Sequence, residues 1–136
     1  MPLPRHYILC VDGSEDIRSM LCALLEPLNF ELRLAGTVSE GLEFARSEEF
    51  DLYLVADDLA EGTGIELCRR LREFDEETPI LFWSAFVRES DREEAMSAGA
   101  DAFLKKPEDF YDLLMTVYQL IDQVRKPPVT QSHHAA

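Results

Sequence analysis

The sequence has few of the residues that several common functional sites require. It contains three cysteines and three histidines among 136 residues, and neither type occurs at a metal-ligand spacing. We therefore predict no metal site, and we interpret Cys10, Cys22 and Cys68 as small hydrophobic residues of a reducing cytoplasm. The six glycines include no glycine-rich phosphate-binding loop.

Positive charge and long apolar runs are also scarce. Lys and Arg total 13 against 27 Asp and Glu, for a net charge of −14, whereas a nucleic-acid surface needs clustered cations. The densest basic group, Arg69, Arg70 and Arg72, is flanked by acids and indicates a solvated helix face. No apolar run approaches the roughly 20 residues of a membrane-spanning helix. We therefore predict binding neither to nucleic acid nor to a membrane.

What the sequence does contain is a regular alternation of apolar runs and amphipathic segments. Its 46% hydrophobic and 29% charged residues are typical of one globular domain. Strand-like runs at 7–11, 30–34, 52–55, 80–83 and 102–104 alternate with helical patterns, which predicts a parallel sheet covered on both faces. The right-handed crossover rule then favours a three-layer, doubly wound, flavodoxin-like (βα)5 fold with strand order 2-1-3-4-5. Helices one and five should share one face, and helices two, three and four the other.

Local signals define the ends of several helices. Ser14 is a suitable N-cap for helix one, and Pro27 marks its end. Thr37 and Glu40 have the spacing of a capping box for helix two, and Gly99 can adopt the left-handed conformation that ends helix four. The predicted bounds are 64–74 for helix three, 91–98 for helix four, 5–126 for the domain and 127–136 for a flexible C-terminal tail.

A set of small and polar residues follows the predicted strands at one edge of the sheet. Asp12 and Gly13 come after strand one, Ala56 ends strand three, Ser84 follows strand four, and Lys106, with a proline after it, follows strand five. In a sheet of this kind the functional site lies at the carboxyl ends of the strands. Together with the four apolar runs that precede them, these residues resemble the CheY-like receiver domain of bacterial response regulators over nearly the whole chain.

The resemblance implies a site that has lost its chemistry. Receivers carry an acidic pair after strand one, a phosphorylated Asp after strand three, Ser or Thr after strand four and Lys-Pro after strand five. Here Gly13 replaces the second acid and Ala56 the phospho-acceptor, so the chain resembles a degenerate pseudo-receiver. The family transfers a phosphoryl group to that Asp with Mg²⁺, whose hard oxygen ligands are partly missing here. Phe103 stands at the family's aromatic switch position.

The charges of the remaining site residues predict an ion pair in place of a phosphorylation site. Asp12 and Lys106 form a neutral pair that can close as a hydrogen-bonded salt bridge without a cation. We therefore expect Lys106 to pair with Asp12, or with the nearby loop at 57–58, and we expect no bound cofactor or Mg²⁺. Substituting both Ala56→Asp and Gly13→Asp is predicted to recreate Mg²⁺ binding.

Other interpretations of the same residues remain open. Asp57 is an alternative phospho-acceptor if a bulge at the end of strand three re-aims its side chain. The segment 8–15 is also similar to the start of universal stress proteins, although the nucleotide loop of that family is missing. Asp12, Gly13 and Ser14 are similar to part of the haloacid dehalogenase motif, but the nucleophile position holds Cys10. A flavodoxin phosphate loop would place Glu15 against the phosphate.

The remaining functional feature that the sequence predicts is a surface on helix five. Tyr111, Leu114 and Tyr118 form a second stripe on helix five, beside a complete core stripe, and exposed aromatics are frequent at interface centres. The stripe is either a wide core face or a contact for protein partners, including a homodimer through helices four and five. We therefore predict a non-enzymatic, cytoplasmic interaction module of two-component signal transduction that works without phosphorylation. The core stripe consists of Phe110, Leu113, Val117, Ile121 and Val124.

Overall fold

The computed structural model describes residues 5–85, 88–106 and 110–125. Within them, five strands alternate with five α-helices, and a short 3-10 turn at Glu26–Leu28 follows the first helix. The strands are β1 (His6–Val11), β2 (Phe30–Ala35), β3 (Leu52–Ala56), β4 (Ile80–Ser84) and β5 (Ala102–Lys105). The α-helices are α1 (Glu15–Leu25), α2 (Val38–Ser47), α3 (Gly64–Arg72), α4 (Glu89–Ser97) and α5 (Phe110–Arg125).

The strands form one parallel sheet in the order β2-β1-β3-β4-β5. The predicted fold class and strand order are confirmed. All five residues of β3 and all five of β4 are buried, as expected for strands covered on both faces. The carboxyl ends of all five strands therefore lie along one edge of the sheet.

The helices divide between the two faces as predicted. One face of the sheet packs against α1 and α5, through residues such as Leu21, Leu25 and Leu113. The other packs against α2, α3 and α4, through residues such as Leu42 and Leu67. Leu113, Val117 and Ile121 of the predicted core stripe are buried, whereas the side chains of Phe110 and Val124 lie outside the described part of the chain.

The predicted helix signals work with small differences. Ser14 caps α1 by accepting the Ile17 N–H at 3.2 Å. Thr37 accepts the Glu40 N–H at 3.1 Å, but the Glu40 carboxylate accepts the N–H of Gly36 instead of the N–H of Thr37. Gly99 has a φ of +117° after the end of α4. Helix α3 is shorter than predicted and α4 begins earlier, since helix ends are the least determined part of a sequence pattern.

The cysteines behave as small hydrophobic residues. Cys10 and Cys68 are buried, and burial raises the pKa of both thiols, that of Cys68 to about 12. Burial also raises the pKa of the half-buried Cys22. Among the described helices, none combines the length and the apolar character needed to cross a bilayer. The predicted tail at 127–136 lies outside the described residues.

Candidate functional site

The predicted site residues meet at the carboxyl edge of the sheet. Strand β3 lies between β1 and β4, and four strands, β1, β3, β4 and β5, each place one site residue at or just beyond their ends. The backbone N–H of Lys106 donates to the carbonyl of Ser84 at 2.8 Å, which joins the ends of β4 and β5. The residues brought to this edge are Asp12, Ala56, Ser84 and Lys106.

An ion pair closes the site. Nζ of Lys106 lies 2.6 Å from Oδ2 of Asp12, and the two side chains are only 13% and 5% exposed. Oδ1 of Asp12 accepts the Ser14 N–H at 2.9 Å, so both carboxylate oxygens are hydrogen-bonded. Nζ of Lys106 also lies 5.2 Å from the centroid of the Trp83 ring, a cation–π distance. The predicted pairing of Lys106 with Asp12 is confirmed.

Ala56 is the last residue of β3 and is buried. It pairs with Trp83 of β4 in an unbroken one-to-one register. A Cβ atom on Gly64 would collide with the carbonyl oxygen of Ala56, so this close approach requires a glycine eight residues after position 56. The end of β3 and the start of α3 are therefore in direct backbone contact at Ala56 and Gly64.

Asp57, the alternative phospho-acceptor of the sequence, lines a cavity at the edge of the sheet. The bulge that would re-aim it is not seen in the described pairing of β3 with β4. Its half-buried side chain lines a cavity of about 260 Å³ together with Ser84 and Phe103. Phe103 packs against the core beneath α2, α3 and α4, whereas Trp83, under the Lys106 ammonium, belongs to the opposite face. Among the described residues, Lys106 forms its ion pair with Asp12 and none with Asp57.

The loop between β3 and α3 lies directly on Gly13. The Gly13 N–H donates to the carbonyl of Asp58 at 3.0 Å, and the Ala60 N–H donates to the carbonyl of Gly36 at 2.8 Å. A Cβ atom on Gly13 would lie 2.7 Å from the oxygen of Asp58 and 2.9 Å from the nitrogen of Ala60. From the sequence, we expect only that position 13 lacks a carboxylate. The structure shows that Gly13 also leaves room for the backbone of the β3–α3 loop, a contact that the local sequence does not predict.

These residues do not fit a magnesium ion. Mg²⁺ takes several oxygen ligands in octahedral geometry. Asp12 contributes the only carboxylate among the matching positions, and Lys106 and Ser14 already bind its two oxygens. Gly13 and Ala56 offer no side-chain oxygen, and the described residues include no group of three or more His, Cys, Asp or Glu able to hold a metal. The Lys106 ammonium group balances the negative charge of the Asp12 carboxylate, so no metal cation is needed to do so.

Phe103 is a core aromatic in this conformation. Its ring stacks on that of Phe82, with centroids 5.6 Å apart and planes 8° apart. Phe82 is buried and Phe103 is partly buried against the same core cluster. The ring thus points inward, beside the cavity that Asp57 and Ser84 line.

Two of the three residues of the predicted α5 stripe are exposed, and one of them contacts β2. Tyr111 is 73% exposed and Tyr118 is 41% exposed, while Leu114 is half-buried against the core. The Tyr118 ring lies 5.4 Å from that of Phe30, which begins β2, the edge strand farthest from β5. Tyr118 therefore contacts the start of β2, and the contact of this stripe with protein partners through helices four and five stays a prediction.

Comparisons with known proteins agree on one family. Residues 8–118 match a family model described as the response regulator receiver domain. The transcriptional regulatory protein ZraR of Klebsiella oxytoca is 32% identical over 127 residues, which are 92% of this chain and 29% of that protein. The transcriptional regulatory protein SrrA of Staphylococcus aureus is 32% identical over 93% of this chain and 52% of its own length. The chain thus spans about half or less of the curated relatives that it matches.

Solved structures show the same fold. A CheY-like receiver domain protein from Methanospirillum hungatei JF-1 superposes with a TM-score of 0.84 at 26% identity, over 89% of this chain and 97% of that one. A putative response regulator from Chloroflexus aurantiacus J-10-fl superposes with a TM-score of 0.82 at 26% identity, over 88% of this chain and 99% of that one. The likeness extends over whole domains.

Proposed function

We propose that this chain, which belongs to the response regulator receiver domain family, acts in two-component signalling through protein contacts and without phosphorylation of its own. Family membership also sets aside the universal-stress, dehalogenase and flavodoxin interpretations of its first strand. The observation that carries the proposal is the 2.6 Å ion pair between Lys106 and Asp12 beside Ala56. The pair is neutral, so the site is electrostatically balanced without metal or phosphoryl group.

The missing groups are those that the family's reaction consumes or relies on. Phosphoryl transfer to a carboxylate needs a nucleophilic oxygen, and Ala56 carries none. Developing charge on the transferred group needs nearby cations. Lys106 is the cation that remains, and the Asp12 carboxylate already neutralises it. No step of the reaction is therefore left for these residues to perform, and a non-enzymatic role in binding follows.

The first test asks whether the chain accepts a phosphoryl group at all. Incubation with acetyl phosphate and Mg²⁺ should leave its intact mass unchanged, because position 56 has no nucleophile. Beryllofluoride with Mg²⁺ should likewise leave its amide NMR spectrum unchanged. Calorimetric titration with Mg²⁺ alone should give no heat of specific binding.

Two matched variants test whether Asp57, the alternative phospho-acceptor, is phosphorylated. Asp57→Asn and Asp58→Asn remove adjacent carboxylates with the same change in charge. A stoichiometric acyl phosphate that disappears in Asp57→Asn and persists in Asp58→Asn would establish Asp57 as the acceptor. That result would contradict the proposal and would give the cavity beside Ser84 a role in phosphoryl transfer.

We propose the exposed stripe of α5 as the contact surface, with a second copy of the chain as its partner. Tyr111→Glu should weaken self-association by at least about tenfold, since exposed aromatics at an interface centre dominate binding energy. Its Tm should move by no more than about 2 °C, because a side chain that is 73% exposed contributes little to the core. Sedimentation equilibrium and thermal unfolding measure the two effects.

Gln119→Glu is the matched control, since it adds one negative charge to another exposed position of the same helix. It should leave association unchanged. A wild-type chain that stays monomeric at high concentration would contradict the self-association proposal, and a large fall in Tm for Tyr111→Glu would show that the tyrosine is a core residue.

A further inference from the structure

A groove opens at the end of the sheet opposite the ion pair, where β3 and β4 begin. Its volume is about 720 Å³, and its walls come from the end of α2 and the segment after α3. Phe50 and the buried Tyr53 form an aromatic floor, with ring centroids 6.1 Å apart, and Pro79 adds a buried apolar surface. The acidic residues that line it are Glu48, Glu49, Asp51, Asp75 and Glu77.

Carboxylates dominate the rim of this groove, although Arg33 pairs with Glu48 and Arg46 lies over Phe74. Five of its lining residues carry carboxylates, and none is Lys or Arg. A neighbouring depression of about 520 Å³ shares Phe74, Asp75 and Glu77 and adds Glu73 and Glu76. Burial alone would raise the pKa of Asp75, but hydrogen bonds from the Thr78 N–H and the Tyr53 hydroxyl outweigh it and lower the pKa. The negative charge beside the aromatic floor is therefore held at neutral pH.

Phe74 gives the groove an exposed aromatic anchor. Its side chain is 42% exposed and borders both depressions. The guanidinium carbon of Arg46 lies 4.9 Å above its ring, so the chain itself shows the kind of group this surface accepts. An exposed aromatic within a field of carboxylates complements arginine side chains, which bring both a planar cation and an aliphatic stem.

We propose that this acidic groove docks a basic segment of a protein partner, in which Arg or Lys residues alternate with aliphatic ones. The carboxylates do not converge as metal ligands do, since Glu48 pairs with Arg33, Asp51 accepts the Tyr7 N–H and Asp75 accepts the Tyr53 hydroxyl. Nucleic acid and anionic lipid are repelled by the same charges. Glu49 and Glu77 are exposed and remain as the outer contacts for a cationic chain.

The proposal is independent of the phosphorylation question. The groove lies at the amino ends of the strands, whereas the Lys106–Asp12 pair and the Tyr111 surface lie elsewhere on the domain. Phosphorylation of Asp57 would not exclude peptide binding in the groove, and a groove that binds no peptide would not change the Lys106–Asp12 ion pair.

The test uses a fluorescein-labelled peptide of alternating Arg and Leu residues, with binding followed by anisotropy and mapped by amide chemical shifts. Glu49→Gln with Glu77→Gln should weaken binding by about tenfold, as should Phe74→Ala alone. The matched control, Glu89→Gln with Glu93→Gln, removes the same charge from exposed positions of α4 and should change affinity by less than about twofold.

Each outcome decides the matter. A control pair that weakens binding as much as the groove pair would show diffuse attraction to an acidic protein and would overturn the proposal. So would shifts that do not centre on the groove, or the absence of binding. If Phe74→Ala fails to fold, the exposed Glu49 and Glu77 substitutions decide alone.

Discussion

Replacing Arg72 by methionine should lower the free energy of unfolding by about 3 kcal/mol, and Tm by about 10 °C. The guanidinium group fastens three segments together. Its Nε donates to the Gly99 carbonyl at 3.0 Å, and its Nη1 donates to the carbonyls of Asp75 and Thr78 at 2.9 and 2.8 Å. Nη2 donates to Asp101 at 2.9 Å. Methionine keeps the packing of the stem and leaves those acceptors without this donor.

Arg70→Met is the matched control on the same helix. Arg70 pairs with Glu66 at 3.8 Å, and both side chains are nearly half exposed. Such a pair contributes under about 0.5 kcal/mol. Urea unfolding of both variants measures the difference, and equal losses would show that Arg72 contributes no more than a surface residue.

Gly13→Ala should be the second large effect, at about 2 to 3 kcal/mol of destabilisation. The added methyl group meets backbone atoms of the β3–α3 loop at 2.7 to 3.0 Å, and backbone yields less readily than a side chain. The loop must therefore move away, which breaks the bond from the Gly13 N–H to Asp58. Chemical unfolding and amide exchange in the loop measure the two consequences.

Gly41→Ala tests the same substitution in a softer setting. There the methyl group meets the side chains of Val11 and Leu67 at 3.2 to 3.5 Å, and alanine favours the helix by about 1 kcal/mol. We expect a nearly neutral result, so comparable losses of stability at positions 13 and 41 would contradict the steric argument.

The structure also alters the expectation for Gly13→Asp with Ala56→Asp, because a carboxylate at position 13 must first displace the loop before Mg²⁺ can bind.

Much of the fold follows from local sequence. Buried parallel strands appear in the sequence as continuous apolar runs. The N-cap residues Ser14 and Thr37 accept backbone N–H groups only three residues away, so their role is also visible in the local sequence. The pairing of Lys106 with Asp12 was also predictable, because the carboxyl ends of parallel strands share one edge of the sheet and because two opposite charges remained there.

Features that depend on the course of a loop were not predictable in this way. The contact of Asp58 with Gly13 joins residues 45 positions apart through backbone atoms, which no side-chain pattern encodes. The direction of the α5 stripe required knowing that Tyr118 reaches Phe30. Arg72 appeared in the sequence as part of a solvated basic face, yet its side chain is only 18% exposed and satisfies the carbonyls of two loops.

The position of Lys106 over Trp83 gives the domain an optical probe of its own ion pair. Trp83 is the single tryptophan of the chain, and its indole is buried at a cation–π distance from the ammonium group. Indole emission responds to nearby charge, so its wavelength and lifetime depend on whether Nζ stays above the ring. Opening of the pair by a partner, a ligand or a substitution can thus be followed in the unlabelled protein, in real time and at low concentration.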